Sequence, residues 1–289
     1  MIARVFSAAL LSLLLCLSVA ARARVETAQL QSKLVNATLP YNVILPPDYD
    51  TARATRYPVL YLLHGLTGHY SDWLKRTNIA AYASAYRLIV VMPEGNDGWY
   101  TDSAIVANNK YESYILRELI PDVQQRYRTI EARYARAIAG LSMGGYGAIK
   151  FGLKSPHTFV LAASMSGVFA ITRFSEQEVP ELWRESLKLF GPLGSDTRRT
   201  NDLFETIKNL PAARISSLPY FYFDCGTEDS PLIFPSHREL AALMFEKKIP
   251  HEYRELPGDH SWGYWDNQVQ EILRIAAQKM RLPRSSKKN

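Results

Sequence analysis

The sequence predicts an α/β fold: a doubly wound, mostly parallel sheet with helices on both faces, interrupted once by a short cap-like insertion. Three observations predict it. Short, nearly continuous apolar runs rich in β-branched and aromatic residues, such as "YPVLYLL" (57–63) and "RLIVVM" (87–92), are the pattern of strands buried on both faces of a sheet. Stretches with helical spacing alternate with these runs along nearly the whole chain, and strand–helix–strand alternation gives parallel pairing. A length of 289 residues, 47% hydrophobic and 21% charged, suits one large domain with a sizeable core and excludes a disordered chain.

The first two dozen residues stand apart. Arg4 is followed by the uncharged stretch "VFSAALLSLLLCLSVAA" and by small residues that offer A-x-A-like cleavage sites after Ala20 and Ala23. This is the pattern of a secretory signal peptide, residues 1–23, leaving residues 24–289 as an exported domain, periplasmic or secreted. The competing reading is an uncleaved anchor, because the apolar run approaches the lower limit for a spanning helix. Cleavage removes Arg4, Arg22 and Cys16, so the formal charge falls from +6 to +4 and Cys225 is left alone. The exported chain then carries no internal disulfide, its core must supply its stability, and no stable membrane insertion is expected. Basic residues are scattered among acids except in the tail "RLPRSSKKN", which reads as a solvated end, so a nucleic-acid partner is excluded.

Along the exported chain, "LPYNVILPPDYD" reads as an early strand ended by a turn at Pro46-Pro47. "SDWLKRTNIAAYASAY" supplies a helix between the two buried runs. From 111 to 127, Tyr111, Ile115, Leu119, Val123 and Tyr127 recur every four positions as one helix face, with Pro121 expected to kink or restart it. "YARAIAG" reads as a strand, "SMGGYGAIKFGLKS" as a helix, and "FVLAASMS" and "PYFYFD" as strands. "FPSHRELAALMFEKK" is helical, "HEYREL" a strand, and "WDNQVQEILRIAAQKM" a final amphipathic helix. The polar segment from about 168 to 215 interrupts the alternation, either as a cover over a site or as a surface excursion with its own small apolar patch.

Chemistry enters at "GLSMGGYG" (140–147), a G-x-S-x-G match placed between a buried strand and a helix. That context is what a nucleophile elbow requires: a sharp, strained turn that lifts Ser142 above the sheet edge, with small residues, here Gly140 and Gly144, two positions either side. A serine hydroxyl needs a base, and the base needs an acid that orients it. In the α/β-hydrolase arrangement these follow in the order Ser, Asp or Glu, His. Of six histidines, His260 in "PGDHSWGYW" stands just before the last helix, where that base belongs, whereas His157, His237 and His251 fall within or beside element patterns. The acid lies after "PYFYFD": Asp229, further into the loop, is preferred over Asp224 at the strand end and over Glu228. An oxyanion would meet the backbone N–H of Met143 and, from the loop His64-Gly65-Leu66-Thr67-Gly68, that of Leu66, with His64 a structural residue of the loop. Trp99 and Tyr100 in "GNDGWYTD" either line the substrate pocket or pack their loop. No metal or cofactor is implied, because H-E-x-x-H, paired C-x-x-C and P-loop patterns are all absent.

These strings resemble the esterase family that includes esterase D, S-formylglutathione hydrolase, bacterial tributyrin esterases, feruloyl esterases and mycolyltransferases. The resemblance is carried by "YNVILPPDYD", "YPVLYLLHGLTGHYSDW", "VVMPEGNDGWYTD", "YESYILRELIPDV", "AIAGLSMGGYGAIKFGLKSP", "DCGTEDS" and "GDHSWGYW". It is similar above all to the tributyrin-esterase branch. It implies a serine carboxylesterase acting on a small-molecule ester, with Ser142, Asp229 and His260 as triad and Leu66 and Met143 as oxyanion donors. Glutathione-directed members tend to be cytosolic and to carry a cysteine in the loop after their first core strand; here that loop reads Gly68-His69 and an export signal precedes it. The alternatives within the family are a thioesterase of that kind and an acyltransferase acting on a cell-envelope sugar or lipid. A catalytically silent binding protein is the alternative outside it, disfavoured because no triad position is missing.

Overall fold

The computed structural model describes residues 23–280. The expected leader, of which only Ala23 is included, and the tail "RLPRSSKKN" lie outside the described residues. Eight strands form one sheet: β1 (Arg24–Ser32), β2 (Ala37–Leu45), β3 (Val59–Leu63), β4 (Ile89–Pro93), β5 (Arg136–Leu141), β6 (Leu161–Met165), β7 (Tyr220–Gly226) and β8 (His251–Leu256). Their order is β1-β2-β4-β3-β5-β6-β7-β8; the pairs β1–β2 and β2–β4 are antiparallel and every pair from β4–β3 onward is parallel. This is the α/β-hydrolase order, and it puts β5, which leads to Ser142, at the centre.

Helices cover both faces. On one lie α1 (Asp72–Arg76), α2 (Ile79–Ala83) and the last helix, α11 (Trp262–Lys279), packing Trp73, Ile79, Val269 and Ile272 against Leu60, Val90 and Ala137. On the other lie α3 (Tyr111–Tyr114), α4 (Ile120–Arg126), α5 (Met143–Lys154) and α10 (Phe234–Glu246), with Ile115, Ile149, Phe151 and Leu240 on Tyr61, Ile138 and Phe223. The chain does not restart at Pro121. It widens instead into a π-helical turn at Ile115–Leu119, which makes room for a ring that would otherwise meet the carbonyl of Arg117.

Two features were not read from the sequence. Strand β1 follows at once on the apolar stretch and is mostly polar; Glu26, Ala28 and Leu30 are half-buried and Ser32 is buried, so at the sheet edge only Ala28 and Leu30 gave an inward apolar signal. The segment 168–215 contains four helices: α6 (Pro180–Phe190), α7 (Asp196–Asn201), α8 (Leu203–Lys208) and α9 (Ala212–Ile215). Phe190, Leu203, Phe204 and Ile207 are buried in the same core as α5, and Tyr146 donates a hydrogen bond to the Asn201 carbonyl at 2.7 Å. The segment is thus packed on the sheet domain, with its other side facing a cavity described below.

A buried charge fastens the helix that carries the serine. Lys150, almost fully enclosed on α5, donates to the Tyr100 carbonyl at 2.7 Å, to Thr101 Oγ1 at 2.8 Å and to Glu112 at 2.9 Å; Lys154 reaches the same carboxylate. Burial alone would raise the Glu112 pKa, but the two ammonium groups carry it down to about 2. Removing one member of such a pair leaves groups unpaired, so Lys150→Met is expected to cost about 3 kcal/mol of stability. Denaturant midpoints should show the double variant Lys150→Met/Glu112→Leu as the more stable of the two.

Candidate active site

Ser142 occupies the sharp turn between β5 and α5, with φ 52° and ψ −117°, a conformation that L-residues rarely adopt. The flanking glycines are required by contact. A Cβ on Gly140 would lie 2.5 Å from the Gly144 carbonyl, and one on Gly144 would lie 2.6 Å from the His64 carbonyl oxygen. The turn sets Ser142 at the N-terminus of α5, where the helix presents positive potential, although its hydroxyl makes no capping bond to the helix.

The loops after β7 and β8 bring two more groups to this hydroxyl. His260 Nε2 lies 3.0 Å from Ser142 Oγ, and its Nδ1 lies 3.1 Å from both carboxylate oxygens of Asp229. Burial would raise the Asp229 pKa, yet His260 and the Ser230 N–H, 2.7 Å away, outweigh it and hold the carboxyl below its ordinary range. An ionised carboxylate only accepts, so Nδ1 carries the proton and Nε2 presents its lone pair to the serine. The edge of Trp265 rests against the imidazole, ring centres 4.9 Å apart. Asp224 is elsewhere engaged: it is enclosed in the core, accepts from Tyr264 Oη at 2.7 Å, and burial pushes its pKa up to about 7. Glu228 is exposed.

Gly65 and Leu66 line the cavity beside Ser142, and Met143 begins α5. Residues 65–68 form a tight turn in which Gly68 N–H donates to the Gly65 carbonyl at 3.1 Å and Thr67 takes φ 58°. Trp99 and Tyr100 part company. Both adopt left-handed conformations, φ 51° and 49°, which turn Trp99 into the cavity wall and Tyr100 inward. Tyr100 is fully buried over Gly147 and donates to the His64 carbonyl at 3.2 Å, so it is a packing residue and its reading as a pocket residue is corrected.

The cavity over Ser142 measures about 640 Å³ and is walled by two unlike groups of residues. One is apolar: Val168, Phe174 and Leu182 from the insertion and Leu232 and Ile233 from the loop before α10. The other, next to His260, is polar and aromatic: Thr67, Asp72, Arg76 and Trp262, with the Arg76 guanidinium 5.6 Å above the Trp262 ring. Thr67, Asp72 and Trp262 stand within strings quoted above, but none of the apolar wall residues does. Only the position of the insertion between β6 and β7 hinted at the apolar wall.

Comparison with known proteins bears on the fold and its family. The family model described as "Putative esterase" matches residues 32–275. An acetyl esterase of Caldicellulosiruptor saccharolyticus is 27% identical over 251 residues, spanning 82% of this chain and 92% of that protein. An esterase of Mycobacterium tuberculosis is 32% identical over 241 residues, 76% of this chain, although this chain spans only 52% of its length. Among solved structures, a ferulic acid esterase superposes with a TM-score of 0.75 at 25% identity, covering 89% of this chain and 98% of that one. The chain belongs to this esterase family and is a carboxylic ester hydrolase of the α/β-hydrolase fold.

Proposed function

We propose that the protein is an exported, periplasmic or secreted serine esterase that hydrolyses short-chain or aryl carboxylic esters through an acyl-enzyme formed on Ser142. The observation that carries this reading is the single imidazole bridging Ser142 and Asp229 at 3.0 and 3.1 Å. Ser142 Oγ attacks the ester carbonyl carbon while His260 Nε2 takes its proton, and Asp229 stabilises the resulting imidazolium. The oxyanion is met by the N–H groups of Leu66 and Met143. Collapse breaks the bond to the alcohol oxygen, which receives the proton from His260. Water then repeats the sequence on the acyl-enzyme and releases the acid.

The two groups of wall residues divide the substrate. The alcohol leaves on the side of its proton donor, so it lies toward Asp72, Arg76 and Trp262, and the acyl group lies between Phe174, Leu182 and Leu232. The test is hydrolysis of p-nitrophenyl esters from acetyl to long acyl chains. Turnover should be highest for short or aryl acyl groups, and Leu182→Ala should shift the optimum toward longer chains, each methylene in such a pocket being worth about 1–3 kcal/mol. A folded wild-type protein inactive across the series would overturn the esterase reading. Diversion of product to a new ester by added alcohol would mark a transferase instead.

A further inference from the structure

We infer that His64 is a positioning residue that fixes the direction of the Leu66 N–H. The inference rests on the reading of Leu66 as an oxyanion donor. His64 closes the run from β3, is fully buried, and touches none of the reacting atoms. Its Nδ1 lies 2.7 Å from the carbonyl oxygen of Gly65, and its Nε2 lies 3.2 Å from Glu94 Oε1 and 2.9 Å from the Gly95 nitrogen. A carbonyl oxygen only accepts. Nδ1 therefore carries a proton whether Nε2 accepts from Gly95 or donates to Glu94.

The carbonyl so held belongs to the Gly65–Leu66 peptide. A trans peptide is a rigid plane whose C=O and N–H point in opposite directions, and no cis peptide occurs among the described residues. Holding the Gly65 oxygen on the buried side, between His64 Nδ1 and the Gly68 N–H, turns the Leu66 N–H to the side where Gly65 and Leu66 line the cavity beside Ser142. Gly65 itself does not enforce this choice, because without a Cβ it admits either orientation of the following peptide. The opposite orientation would face the oxyanion with a carbonyl oxygen.

Glu94, at the start of the loop after β4, anchors the imidazole from behind. Its side chain is 6% exposed and collects the N–H groups of Asn96 at 2.8 Å, Gly95 at 3.1 Å and Tyr70 at 3.3 Å, with His69 Nδ1 also at 3.3 Å. Burial opposes its charge, but the His64 imidazole and these N–H groups bring its pKa to about 2. One carboxylate thus joins the loop after β3 to the loop that carries Trp99.

Two polar variants separate the ring nitrogens: His64→Asn keeps an N–H near the Nδ1 position, and His64→Gln keeps one near Nε2. On p-nitrophenyl acetate, His64→Gln should lower kcat by about 10²- to 10³-fold, the loss of one oxyanion donor, with KM nearly unchanged. His64→Asn should retain kcat to within about tenfold of wild type, which is less than the loss of a donor. A folded His64→Gln with wild-type kcat, or equal losses in both variants, would overturn the inference. Nitrogen-15 spectra of histidine-labelled wild-type protein test it without any variant: Nδ1 of His64 should be protonated, and a bare Nδ1 would overturn it. If Ser142→Ala is inactive while His64→Gln is not impaired, the positioning role alone fails; if Ser142→Ala stays active, the esterase mechanism fails.

Discussion

Replacing Ser142 by alanine is expected to reduce kcat for p-nitrophenyl esters by about 10⁴- to 10⁶-fold while leaving the fold intact. The hydroxyl has its one side-chain partner in His260, and the turn is secured by backbone bonds, Ser142 N–H to the Met165 carbonyl at 3.0 Å and Tyr146 N–H to the Ser142 carbonyl at 3.0 Å. Alanine tolerates the left-handed turn no worse than serine, so the unfolding midpoint should not move. His260→Ala should cost about as much, and the double variant little more than either single one, because nucleophile and base act as one unit. Additive losses would mean that the two side chains act in separate steps, and full activity in folded Ser142→Ala would remove the serine from the mechanism.

Asp229→Asn is expected to lower kcat by about 10⁴-fold with the geometry preserved. The amide would present an N–H to His260 Nδ1, forcing the imidazole into the tautomer with its proton on Nε2, where it cannot accept from Ser142. The control is its neighbour. Asp224 is buried, has its pKa raised to about 7 and accepts from Tyr264, so Asp224→Asn replaces a carboxyl that is already easily neutralised and should leave kcat close to wild type. A larger loss from Asp224→Asn than from Asp229→Asn, in folded proteins, would exchange their roles.

The sequence carried the sheet and the turn at Ser142 well because both follow local rules. Buried parallel strands such as Val59–Leu63 and Ile89–Pro93 are nearly unbroken apolar runs, and the elbow at Ser142 needs small residues at fixed offsets from the serine. What it did not carry depends on long-range packing. Strand β1 is specified by pairing with β2 and not by its own side chains. Leu182 and Phe174 become cavity walls only when the insertion folds onto α5. Trp99 and Tyr100 were indistinguishable as letters, and only the two successive left-handed residues send one to the cavity and the other to the core. Glu94 stands within "VVMPEGNDGWYTD", but the string gave no sign of its role, since its five neighbours come from two loops that meet only in the folded sheet.

The spacing of the reacting groups along the chain has a consequence of its own. Ser142 and His260 are 118 residues apart, and the imidazole stands between the last strand, at the far edge of the sheet, and the last helix. A nascent chain that has emerged through α10 holds Ser142 and Asp229 but not His260, and it remains without that imidazole until β8 and α11 dock. On the proposed mechanism esterase activity is acquired only when this last part of the domain docks, and regain of turnover during refolding should report completion of the whole domain where spectroscopic signals report only its parts.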